Sequence, residues 1–230
     1  MYKLIKHSIE EHHYDHPELA LSAMQSNGCY TGTMVTKAMA MRSDSQSAIK
    51  LRMEARSYFS ELLWRVRSYL ISEIDSASDL SVTIENLTKN IDAIGTLIKP
   101  YYGEEAGNAL NTMIRELLTT VTDIIKTAKV NGDLTPLKNK AVDQIKMLAK
   151  FLNGANPMYW PEQAIVDIFT QTALAWADQA VSRQKKDHVA EQAAIKTAYR
   201  LLVGDDADSA SGFANIMAHG IIKQFPNKFP

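Results

Sequence analysis

With one cysteine, seven prolines and ten glycines in 230 residues, the chain is poor in staples and in turn-formers. Cys29 by itself forms no internal disulfide, which argues against a stapled secreted domain and suits a reducing, cytoplasmic setting. The glycines and prolines cluster at a few places and leave long uninterrupted segments, which disfavours a many-turned β fold. An excess of charge of one sign is also missing. Twenty-five Lys and Arg against 26 Asp and Glu leave a net charge of −1, so no basic field draws in nucleic acid. No run approaches the roughly 18 apolar residues of a membrane span. The opening MYKLIKHSIEEHH is followed by no apolar run and does not read as a secretory signal.

Signatures of catalysis are lacking too. The sequence holds no phosphate-cradling glycine loop, G-x-G-x-x-G, H-E-x-x-H, C-x-x-C or G-x-S-x-G. Di-iron bundles need two Glu-x-x-His pairs on facing helices, and Glu10 with His13 is a single one. No catalytic residue and no cofactor are implied.

What is present is helical periodicity. Ala55, Phe59, Leu62, Val66, Leu70 and Ile74 recur at steps of three or four and predict one long helix from about 47 to 75. A second run, Val82 to Ile98, is expected to stop at Lys99-Pro100 and to break or kink near Asn90 or Gly95. Leu110 to Ala128 defines a third, with Glu104 and Glu105 in its first turn and Asn131-Gly132 at its end. Thr135-Pro136 reads as an N-cap and first helical position, opening a helix that Asn153-Gly154 ends. Ile165, Phe169, Thr172, Trp176 and Ala180 mark the next, and 184–203 is a continuation or a separate helix. Gly204-Asp205-Asp206 is expected to cap a last helix carrying Ala210, Phe213, Met217 and Ile221. About seven or eight helices with short connections give an all-α, up-down bundle over 46–230. Residues 1–45 form an N-terminal helical arm, broken at His16-Pro17 and rich in methionine toward its end.

Two groups of side chains stand out. His12, His13 and His16 lie in the arm among acidic residues, and His12 and His16 are four apart, a spacing that puts two imidazoles on one helical face toward a metal. A solvated polar segment is the plainer reading, since Pro17 disfavours helix at His16. Tyr101 and Tyr102 in one connector, Tyr159 and Trp160 in another, would meet at one end of the bundle. There they either frame a small-molecule pocket or cap the core with their polar tips in water. Arg67, Glu116 and Asp178 lie near the inward stripes and would pair with one another.

From about residue 58 onward the chain resembles a family of uncharacterised bacterial helical proteins. The likeness rests on Lys99–Asn108 (KPYYGEEAGN), on Asn153–Pro157 (NGANP) followed by Trp160-Pro161, and on Gly220–Pro226 (GIIKQFP). It covers about three quarters of the chain. Arg67, Arg115 and Glu116 match the family pattern. The histidines of that pattern do not: Leu62, Leu117 and Thr172 stand in their places, a fourth falls near Ala207, and Asn215 replaces an aspartate. The resemblance therefore implies a site whose centre this chain has lost.

The function expected is non-catalytic binding, as a homo-oligomer or with another protein. The rival is a small-molecule-binding or metal-dependent enzyme with a bundle-end pocket built from Arg67, Tyr101, Tyr102, Glu116 and Asp178. A weaker reading makes the C-terminal Gly220–Pro230 segment an interfacial anchor.

Overall fold

A computed structural model describes residues 45–205 and 211–230. The expected arm over 1–45, its short helices, Cys29 and the histidines His12, His13 and His16 fall, save Ser45, outside the described residues, as do Ala207 and Ala210. Among the described residues there are seven α-helices and no strand: α1 (Gln46–Ile74), α2 (Leu80–Tyr102), α3 (Glu104–Lys129), α4 (Thr135–Ala155), α5 (Glu162–Gln184), α6 (His188–Leu202) and α7 (Phe213–Gln224). A 3-10 turn, Pro226–Lys228, follows. Each of α1 to α6 packs on the next in sequence, and α7 returns to α1, which also touches α3, α5 and α6. The result is an up-down bundle with α1 as its hub.

Local chemistry explains most of the boundaries. Ser45 caps α1 by accepting a hydrogen bond from the Ala48 amide at 3.3 Å. Three helices end alike, on a non-glycine residue in the left-handed region: Ser76 (φ 55°), Asn131 (φ 55°) and Lys186 (φ 61°). In each the next amide reaches back to close the turn: Ala77 to the Ser72 carbonyl at 2.8 Å, Gly132 to Thr127 at 2.9 Å and Asp187 to Ser182 at 2.9 Å. Asn131, not Gly132, thus takes the left-handed position after α3. Lys185–Asp187 separates α5 from α6, and Asp187 caps α6 through the Ala190 amide at 3.0 Å.

Four boundaries differ from those read in the sequence. α2 runs unbroken through Gly95 and past Pro100 to Tyr102. Asn90 does not break it because the side chain is used elsewhere, donating to the Tyr58 carbonyl on α1 at 3.2 Å. Gly95 is there for proximity: a Cβ on it would meet the Asn111 side chain of α3 at 2.0 Å, and one on Gly107 would meet the Gly95 carbonyl at 2.8 Å. Thr135 is the first residue of α4 rather than its cap, and Asp133 accepts from its amide at 2.9 Å. α4 continues through Asn153-Gly154 to Ala155, with Pro157 two residues on. α7 opens at Phe213 after Gly212, later than Gly204-Asp205-Asp206 suggested.

The core is continuous through the bundle. Phe213 of α7 meets Phe59 of α1 edge-on at 5.2 Å and Phe169 of α5 at 4.7 Å, tying the returning helix to both. No described helix is long and apolar enough to cross a membrane.

Candidate functional site

The three sequence blocks that carry the family resemblance converge at one end of the bundle. Trp160 is buried, its indole N–H donating to the Ile216 carbonyl of α7 at 3.2 Å. Its own carbonyl accepts from Asn153 Nδ2 at 2.9 Å. The Tyr102 ring lies 5.4 Å from the Trp160 ring and 5.3 Å from Phe225. Its hydroxyl donates to Gln224 Oε1 at 2.5 Å and accepts from Asn156 Nδ2 at 3.3 Å. Burial pushes that hydroxyl up to about 12, against the Asn156 hydrogen bond. Tyr101 stacks on Phe229 at 5.7 Å and touches Phe225 at 5.8 Å, while Lys228 Nζ sits 5.4 Å over its ring and donates to the Pro100 carbonyl. The tyrosines are therefore engaged by the C-terminal segment and by the NGANP connector. They cap the core, and the C-terminal aromatics expected of an interfacial anchor are spent on the same contacts.

A second cluster occupies the opposite end of α1. Glu191 of α6 is buried, and three groups face its carboxylate: Arg67 Nη1 at 2.9 Å, Arg183 Nη1 at 3.6 Å and His188 Nδ1 at 3.3 Å. Burial opposes its ionisation, yet the Arg67 and His188 hydrogen bonds and the two guanidinium charges outweigh this and hold the carboxyl below its ordinary value. Arg183 also holds Asp75 of the turn after α1, and Lys129 pairs with Glu73 at 3.1 Å. An open depression of about 410 Å³ over this end is lined by Lys129, Arg183, Lys186, His188 and Asp75. That is the size of a small-molecule site. Its arginine and Lys129 are already partnered, however, and three helices (α1, α3 and α5) present their electronegative C-termini there. Arg183 and Lys129 thus answer charges the fold itself places there.

Arg67 also lines a crevice between α1, α5 and α6, beside Trp64, Trp176, Gln179, Ala198 and Tyr199. Its inner space, about 20 Å³, admits about one water and falls far below the ~300–1,000 Å³ of small-molecule sites. Gln179 is buried there, and its Nε2 has no hydrogen-bond partner. At the mouth stand Trp64, 57 % exposed, and Tyr199, 36 % exposed.

The five residues expected at a bundle-end pocket are thus not brought into one. Arg67 pairs with Glu191 rather than with Glu116 or Asp178. Glu116 is exposed on α3, where only its backbone carbonyl is used, accepting from Gln144 Nε2 at 3.3 Å. Asp178 is exposed on the rim of an open groove between α5 and α6 floored by Ala175, Ala190, Ala193 and Ala194. Among the described residues, no group of three His, Cys, Asp or Glu is placed to hold a metal ion. Leu62, Leu117, Thr172 and Asn215 are all buried, on α1, α3, α5 and α7. Thr172 spends its hydroxyl on the Ile168 carbonyl at 2.8 Å, and Asn215 donates to Ser211 at 2.8 Å.

Two residues escaped the sequence reading. Glu191 shares the inward stripe of α6 with Ala194, Ala198 and Leu202, and an acid at the head of an apolar stripe was the available signal. Trp64 shows itself by the reverse, a large aromatic on the polar side of a strongly periodic helix. No family model, no curated protein and no solved structure matches the chain.

Proposed function

We propose that the chain works by binding, without catalysis, and that its recognition surface is the outer face of α1 where it meets α6. The carrying observation is Trp64, which is 57 % exposed although the same helix buries Phe59, Leu62, Leu63 and Val66. Ile49 and Met53 lie on the same side of α1 and are also exposed. Large apolar side chains left exposed on one side of a helix are the material of a contact surface. Trp, Tyr and Arg together at the mouth of a tight crevice are the residue types that concentrate binding energy between proteins. The crevice's volume favours a protein surface over a small molecule as the occupant. A net charge of −1 disfavours nucleic acid, and one cysteine in the chain suits the cytoplasm. Kinship with the bacterial helical family belongs to the same proposal: its three sequence blocks meet at one place in the fold, as a shared structural signature would.

The test is thermodynamic and needs no partner. If Trp64 is kept for recognition, Trp64→Ser leaves the folding free energy within about 0.5 kcal/mol of wild type in urea denaturation. A loss above about 2 kcal/mol would make Trp64 a structural residue and remove the reading.

A further inference from the structure

We infer that α6 opens as a unit while the rest of the bundle stays folded, and that Glu191 is the catch that holds it shut. The opening needs no partner and stands apart from what the α1 face binds. A helix of 15 residues is marginal in water by itself, so α6 depends on what it buries. On the bundle side it buries Glu191, Ala194, Ala198 and Leu202. Leu202 is the one large apolar side chain among them, whereas each of the other six described helices buries three or more. Alanines bring α6 close to α5 but remove little surface from water. Open space lies on both sides of that seam, the alanine-floored groove on one and the Trp64 crevice on the other. Regions with so few buried apolar contacts are the ones that open at low cost.

Glu191 supplies what the alanines do not. Its carboxylate meets Arg67 of α1 at 2.9 Å and Arg183 of α5 at 3.6 Å, so one side chain ties α6 to both neighbours. Beneath α6 the closed state also keeps Gln179 Nε2 buried without a hydrogen-bond partner, a cost that opening relieves by admitting water. The chain is fastened at either end of the unit. Before α6, Arg183 holds Asp75 in the turn after α1. After it, Arg56 Nη1 donates to the Val203 carbonyl at 2.6 Å. Gly204 then lies so close to the next turn that a Cβ on it would stand 2.3 Å from the Ser211 carbonyl. With both ends held, α6 opens by unwinding between them and not by swinging on a hinge. The open state uncovers Leu63 and Arg67 of α1 with Trp176 and Gln179 of α5.

Native-state hydrogen exchange on the full chain, followed by NMR in low urea, is the test. Amides of α6 from Ala194 to Leu202 are expected to exchange at least about tenfold faster, relative to their intrinsic rates, than those around Leu117 and Val121 of α3. Their exchange should also depend less on urea, because less surface is exposed. Amides of α5 from Phe169 to Ala180 should stay in the slow class. A thiol probe reads the same opening. In a Cys29→Ser background, Ala198→Cys should react with a maleimide at least about tenfold faster than Ala149→Cys, although both positions are buried. Exchange in the wild type guards against a loosening caused by the cysteine itself. Adding Glu191→Gln should raise the rate at Ala198→Cys at least about tenfold again. Equal protection of α6 and α3 overturns the inference, and so does exchange of α6 and α5 together as one hairpin. A thiol rate at 198 that Glu191→Gln leaves unchanged overturns the role of the catch.

Discussion

Replacing Trp160 by alanine is expected to cost about 4 kcal/mol of stability and to lower the melting temperature by roughly 10 °C. The side chain is fully enclosed, so its loss removes the transfer free energy of a large ring and leaves a void that the neighbours fill incompletely. The loss also orphans the Ile216 carbonyl, which accepts the indole N–H. Gly220 supplies an independent check. A Cβ at that position would stand 2.2 Å from Trp160 Nε1 and 3.0 Å from Asn156 Nδ2, and the indole has no soft end to move aside. Gly220→Ala alone should therefore cost about 1–3 kcal/mol. In the Trp160→Ala background the clash is gone, and the same substitution should cost almost nothing. Thermal and urea denaturation of the four proteins of the cycle measure this coupling. Additive losses would mean that the two residues do not touch in solution.

That end of the bundle was legible in part. Tyr102 and Trp160 come together as their two segments were expected to, although Tyr101 and Tyr102 lie in the last turn of α2 and not in a connector. The C-terminal strap that seals them was not expected, because Phe225 and Phe229 follow a proline stop and carry no period that assigns them to a face. Helix positions followed readily from stripes at steps of three and four, since burial of one face dominates helix stability in a domain of this size. Helix ends were harder. Asn90 and Gly95 look like breaks in the sequence, yet their chemistry is spent on a neighbour: an amide on the Tyr58 carbonyl and a missing Cβ beside Asn111. Such tertiary uses leave no trace in a single helix's pattern.

The candidate site divides the same way. Arg67 does lie against the core and has its charge satisfied, but its partner was sought on α3 and α5. The partner is Glu191, on the one helix whose separate existence the sequence left open. The pairing of Arg67, Glu116 and Asp178 failed because nearness to an inward stripe leaves open which way a side chain turns. Both acids turn to solvent.

Glu191→Gln should destabilise the bundle by about 3 kcal/mol, since it leaves Arg67 and Arg183 facing a neutral amide in a place with little water. The pH dependence follows from the direction of the shift. The carboxyl is held below its ordinary value of 4.5, so its contribution is complete above that pH and is lost as pH falls through the lower, folded value. Wild type and Glu191→Gln should therefore differ fully at neutral pH and converge in acid, as urea midpoints across the range would record. A constant gap would assign the loss to packing instead of charge. Arg183 keeps Asp75 whatever happens at 191, so Arg67 is the cation most exposed to the change. Exchanging that pair for an apolar one, Arg67→Met with Glu191→Leu, is expected to recover most of the stability that Glu191→Gln loses.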